Sequence, residues 1–248
     1  MEIWQILVLA LVGIMAGWLN VMAGGGSLLT VPIMLFMGIP APVANGTNRI
    51  AILAQNITAV TTFRNRGFSD FKLSLSLAAA AAVGALGGAS VGVHLDGEWF
   101  DRVLALVMVA VLILMATGHD KIKPVGGDEQ PKNLLLGHVL MVGAGFWGGF
   151  IQIGVGFILM PILHRVMGLD LVRVNMHKVF VVLVFTIVAL AVFASQLELL
   201  WWTGAALAVG NSIGGWLGAH TTVRHGETLI RRVLYIALTA FIVKLLFF

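Results

Sequence analysis

Residues 20–32 read NVMAGGGSLLTVP: three consecutive glycines, then an apolar run that carries a proline. They lie in a chain with 59% hydrophobic and only 10% charged residues, where a soluble domain has about 25% charged. In a helix interior glycine costs about 1 kcal/mol relative to alanine, and proline about 3. A bilayer-spanning segment that gathers its weakest helix formers at one point reads as a helix that breaks there. The pattern returns in the second half of the chain as IGVGFILMP at 153–161.

Outward from this stretch, uninterrupted apolar runs cover 3–19, 73–93, 103–117, 179–194 and 233–248. Several approach the roughly 20 residues that cross a 30 Å hydrocarbon core, so the expected class is an all-α polytopic integral membrane protein. Segments are expected at 3–22, 26–38, 43–63, 71–94 and 100–117, and again at 134–152, 156–168, 174–195, 198–219 and 229–247. Between them runs HDKIKPVGGDEQPKN, dense in charge and helix breakers. The expected organisation is a first transmembrane repeat at 1–117, a linker at 118–133 and a second repeat at 134–248. No Lys or Arg precedes the first apolar run, which therefore reads as a membrane segment and not as a cleaved leader.

Several function classes are excluded by composition. With no cysteine there are no disulfides, thiolate metal sites or cysteine nucleophiles. The seven histidines show no metal-ligand spacing, so neither metal nor cofactor is expected. The net charge of +4 comes from basic residues scattered through short loops, without the basic, aromatic-interleaved face of a nucleic-acid binder. There is no HExxH, no Gly-x-Ser-x-Gly and no carboxylate pair within an apolar segment; an enzyme is not expected.

The two halves resemble each other. Gly13, Gly24, Gly26, Gly38 and Asn45 recur 130 residues later as Gly143, Gly154, Gly156, Gly168 and Asn175. Gly84, Gly88, Gly92 and His94 recur 126 residues later as Gly210, Gly214, Gly218 and His220. Loop charges give the relative orientation. Arg64, Arg66 and Lys72 follow the third segment, whereas the matching loop at 195–198 has no basic residue. The next loop is acidic (Asp96, Glu98, Asp101), whereas its counterpart carries Arg224, Arg231 and Arg232. Positive loops stay cytoplasmic, so the repeats are expected to be inverted, with the linker cytoplasmic and both termini outside. The short segments 26–38 and 156–168 either cross thinly or fold back as re-entrant hairpins.

In such an architecture, broken helices aim free N-termini at an anion near mid-membrane. Gly24, Gly25 and Gly26 would form one break, with Ser27 as the N-cap, and Gly154 and Gly156 the other; together they would enclose the anion. The alternative is that the glycines serve close helix packing, and that reading is preferred for the four-residue spacing at Gly84, Gly88, Gly92 and their copies. Polar residues within apolar segments complete the candidate site. Asn20 and Gln152 precede the breaks; Asn45, Asn48 and Arg49 head one long segment; Asn175, His177 and Lys178 head its mate. The asparagines are hydrogen-bond donors or inter-helix ties, and Arg49 and Lys178 either supply charge or snorkel to headgroups. Gln55, Asn56 and Asn211 are weaker candidates.

The early G-x-x-x-G, AGGGSLLTVP and the stretch from Ala44 to Asn48, with GGFIQIGVGFILMPIL in the second half, resemble the TauE/SafE family of sulfite exporters, also called toluene-sulfonate uptake permeases. The resemblance implies a multi-pass permease of the bacterial inner membrane. Its cargo would be a small sulfur-containing anion such as sulfite or an organosulfonate, moved by an ion or proton gradient without ATP. A passive anion pore with the same lining is the alternative, and homodimerisation remains open. Val155 and Phe157 depart from the first motif, so the two half-sites need not bind alike.

Overall fold

The structure is a computed structural model describing residues 3–95 and 130–224, with 97–100 and scattered helical positions up to 109. The expected segment 229–247, most of 100–117 and the linker up to 129 lie outside the described residues. The elements are α1 (Ile3–Ala23), α2 (Ser27–Phe36), α3 (Ala41–Asn65), α4 (Phe71–Gly92), α5 (Leu134–Phe150), α6 (Val155–Pro161), α7 (Leu171–Gln196) and α8 (Trp201–Arg224). A π-helical turn, Ile162–Val166, continues α6. Among the described residues there is no strand.

Both expected breaks are present. Between α1 and α2 the chain turns through Gly24 at φ +83°, and between α5 and α6 through Gly154 at φ +72°. These are left-handed conformations that glycine adopts at no steric cost. The short helices end alike, on Gly38 at φ +79° and Gly168 at φ +72°. α3 and α7 follow, α7 with the carboxylate of Asp170 accepting from the N–H groups of Val172 and Arg173 at 2.9 and 3.0 Å, an N-cap.

Three helices are long and apolar enough to cross a membrane: 4–22 within α1, 71–92 in α4 and 171–196 in α7. α3 has comparable length, 25 residues or about 37 Å, but it carries Asn45, Thr47, Asn48, Arg49, Gln55 and Asn56 buried. These polar side chains are buried against other helices, while Ile57 stays exposed. Trp4, Trp99, Trp201 and Trp202 are exposed, as interface anchors are.

α1 packs along α8 and α4 along α5, while α3 lies against α8 and α7 against α4; α3 and α7 meet in the middle. Glycine makes the first two pairs close. A Cβ on Gly84, Gly88 or Gly92 would strike the backbone of α5 at Val142, Phe146 and Phe150, and one on Gly210, Gly214 or Gly218 would strike α1 at Ala10, Ile14 and Trp18. The four-residue spacing is therefore a packing face in both halves.

Candidate functional site

The two breaks touch. A Cβ on Gly24 would fall onto the Cα of Gly156, and one on Gly156 onto the Cα of Gly24. Backbone fills the space directly between Gly24 and Gly156. The open volume lies beside the contact, in a small cavity lined by Asn20, Gly24, Asn56, Gly156 and Lys178 and completed by Val155, Val179 and Val182. Its free volume is about 10 Å3, about one water position.

The N-terminus of α2 is not capped by Ser27. Gly26 occupies the N-cap position without a side-chain bond. The N–H groups of Leu28 and Leu29 turn inward to the carbonyls of Gly25 and Gly26, each at 3.0 Å. The hydroxyl of Ser27 instead accepts from Asn48 Nδ2 at 3.0 Å, and Thr30 Oγ1 donates to Asn48 Oδ1 at 2.6 Å. One amide of α3 thus pins the first turn of α2. A serine on the helix side of the glycines can reach a neighbouring helix, and that partner, 21 residues away, is invisible in local pattern.

Arg49 and Lys178 do not snorkel: their exposures are 0% and 2%. Each lies two turns or so inside its helix and holds the C-terminus of the helix that leads into a break. Arg49 donates from Nη1 to Gly148 O (2.9 Å) and Gln152 Oε1 (2.8 Å), and from Nη2 to Gly149 O (2.5 Å) and Asn45 Oδ1 (3.5 Å). Its guanidinium also stands 4.4 Å over the ring of Phe193. Asn45 Nδ2 donates to Phe150 O at 2.9 Å. The last carbonyls of α5, which have no partner within their own helix, are satisfied by α3. Gln152 adopts φ +62°, unusual for a residue with a side chain, and is held there by Arg49 and by its own bond from Nε2 to Thr186 Oγ1 at 3.1 Å.

Lys178 does the same for α1, with fewer bonds. Its Nζ donates to Val21 O and to Asn175 Oδ1, both at 2.7 Å. A cation at a helix C-terminus is favoured by the helix dipole, so the two buried charges have a common rationale. The difference is where they point: Lys178 lines the cavity and Arg49 does not. An ammonium carries three donors, and the two protein bonds leave one. Among the described residues no aspartate or glutamate is buried, so the carboxylate that usually pairs a buried cation is missing there.

Of the sequence candidates, the structure brings Asn20, Gly24, Gly156 and Lys178 to one cavity. Asn175 supports Lys178 from behind. Asn45, Arg49 and Gln152 form the α5 anchor, and Asn48 with Ser27 the α2 anchor. Gly25, Gly26 and Gly154 belong to the turns. His177 faces away, its Nδ1 2.8 Å from Ser74 Oγ on α4. Asn56, a weaker candidate from sequence, lines the cavity while donating to Ile52 O at 2.8 Å. Val155, Val179 and Val182 carry no signal that marks an apolar site wall among so many other valines.

The sequence is similar along nearly its whole length to proteins described as transporters. A probable membrane transporter protein, ORF9, of Sinorhizobium sp. is 26% identical over 235 residues, covering 93% of this chain and 88% of its own. A probable membrane transporter protein of Haemophilus influenzae is 26% identical over 234 residues, covering 92% and 89%. The probable membrane transporter protein YfcA of Escherichia coli K12 is 25% identical over 247 residues, covering 97% and 89%. No solved structure matches. The profile of the family described as "Sulfite exporter TauE/SafE" matches residues 9–245, and with the broken helices and their anchors in place the conclusion is that the chain belongs to the TauE/SafE sulfite exporter family.

Proposed function

We propose that this membrane transporter is a secondary carrier for a small sulfur-containing monoanion, such as hydrogen sulfite or an organosulfonate. It works by alternating access of two inverted repeats, 1–117 and 134–248, joined by the cytoplasmic linker 118–133. The observation that carries the reading is the buried Lys178 ammonium, with a donor to spare, in a cavity where both helix breaks meet. The charge at the cavity supports an anionic cargo. Lys178 faces one helix C-terminus of about half a negative charge and no buried carboxylate among the described residues, which leaves positive charge to neutralise. An anion at Lys178 neutralises it, with the Asn20 and Asn56 side chains beside it, once the cavity, which holds about one water in this conformation, has widened in the transport cycle. An ion or proton gradient drives the cycle. The name of the family supplies sulfite as the first cargo to try.

The test is uptake and counterflow in proteoliposomes, with sulfite, methanesulfonate, sulfate and acetate as solutes. Saturable flux with counterflow of the monoanions, removed by Lys178→Met, is the expected result. Conductance far above carrier turnover would favour the pore instead. Unaltered flux in folded Lys178→Met would remove Lys178 from the site.

A further inference from the structure

Beside the cavity, three side-chain amides from three helices meet away from Lys178. Asn20 of α1 lines the cavity and donates from Nδ2 to Gln55 Oε1 of α3 at 3.2 Å. Asn211 of α8 donates from Nδ2 to the same oxygen at 3.4 Å. Gln55 and Asn211 are both fully buried, and two of their atoms have no partner: the Gln55 donor Nε2 and the Asn211 acceptor Oδ1. Amide orientation is assigned from the network, but turning the amides over only moves the surplus, since each amide brings two donors and an acceptor to the same few partners. Buried polar groups are normally bonded, and those that are not call for an explanation.

The fold itself does not require these amides. The sequence-matched positions in the other half, 130 residues after Gln55 and 126 before Asn211, are Phe185 and Ala85. Both are fully buried in an apolar cluster. Phe185 lies over Gly148, and Ala85 packs against Gly149. Bare backbone is used beside the amides as well: a Cβ on Gly17 of α1 would strike Asn211, and one on Gly215 of α8 would come within 2.9 Å of Gln55. The same packing problem is thus solved once with hydrocarbon and once with amides that it leaves short of partners.

We propose that Gln55 and Asn211 form a binding position for a hydroxyl oxygen, which accepts from Gln55 Nε2 and donates to Asn211 Oδ1. It extends the polar surface of the Lys178 cavity through Asn20. The occupant is an O–H oxygen, either of a water or of a protonated oxyanion. This role in transport rests on the carrier reading above; the existence of the position does not.

A density map of the full chain in lipid nanodiscs, at a resolution that resolves buried waters, decides the position. The expected result is an oxygen within hydrogen-bonding reach of both Gln55 Nε2 and Asn211 Oδ1. A direct two-bond pairing of the two amides with no oxygen between them would overturn it. Flux of the Gln55→Leu/Asn211→Leu double variant then separates the two sources. Leucine removes both orphans but also takes the acceptor of Asn20 Nδ2, so the gain and the loss offset and the folded state is expected to be about as thermostable as wild type. With water as occupant, hydrogen sulfite and methanesulfonate fluxes fall together, by about tenfold. With the solute's own hydroxyl as occupant, only hydrogen sulfite flux falls, because methanesulfonate has no O–H. Equal flux of both solutes in wild type and variant would overturn the role in transport. A wild-type chain that moves neither probe would instead count against the carrier reading and leave the map to judge the position.

Discussion

Arg49 and Lys178 stand on matched long helices and do the same structural task in different surroundings. Arg49 makes four donated bonds and a ring contact, and its charge is turned toward the end of α5. Lys178 makes two, and its ammonium reaches a cavity wall. A planar guanidinium suits a fixed constellation of carbonyls, whereas an ammonium is a compact charge on a flexible stem. The difference teaches that a buried cation in a bundle of apolar helices is not automatically a ligand site. Each cation keeps one donor unused, Nε in Arg49 and one N–H in Lys178, but only Lys178 lines the cavity.

This comparison can be broken by substitution. The largest effect is expected for Arg49→Met, which strips four bonds at roughly 0.6–1.7 kcal/mol each. A loss of roughly 2–7 kcal/mol should appear as a collapsed thermal midpoint in detergent or as failure to elute as a single species. Arg49→Met with wild-type stability and no flux would reverse the assignment of the two cations. Lys178→Met comes next: two bonds, roughly 1–3 kcal/mol of stability, but flux down by about 10–100-fold at temperatures where the protein is folded. Asn48→Leu releases the first turn of α2 from two bonds and should cost about as much stability as Lys178→Met. Its flux, measured in the same proteoliposomes, should be less affected, because Asn48 is not in the cavity wall. The smallest effect is expected for His177→Gln. Glutamine can keep a bond to Ser74, so stability should change by less than about 1 kcal/mol and flux by less than about twofold. A His177→Gln variant that folds and does not transport would bring α4 into the mechanism.

The breaks were legible in the sequence because their cause is local. Glycine at consecutive or alternate positions cannot build a helix face, and Gly24 and Gly154 adopt the left-handed turns that such spacing anticipates. The packing faces at Gly84, Gly88 and Gly92 were legible for the converse reason, their regular four-residue period. What stayed hidden depends on partners far along the chain. Arg49 bonds residues about 100 positions away, Lys178 one 157 away and Asn211 one 156 away. Sequence marked these side chains as costly in a membrane but could not say which would be consumed by a helix end. Ser27 was placed on the wrong side of the helix start for the same reason: its partner, Asn48, belongs to another helix.

The contact between Gly24 and Gly156 carries a mechanical consequence. Two bare main-chain segments in touch have no rotamers to exchange and no side-chain layer to compress, so neither turn can advance toward its opposite number without displacing it. They can still slide or roll across one another, because no knob sits in a hole. A junction of this kind would act as a bearing, stiff under load and free in shear, and a single methyl group added to either surface would jam it.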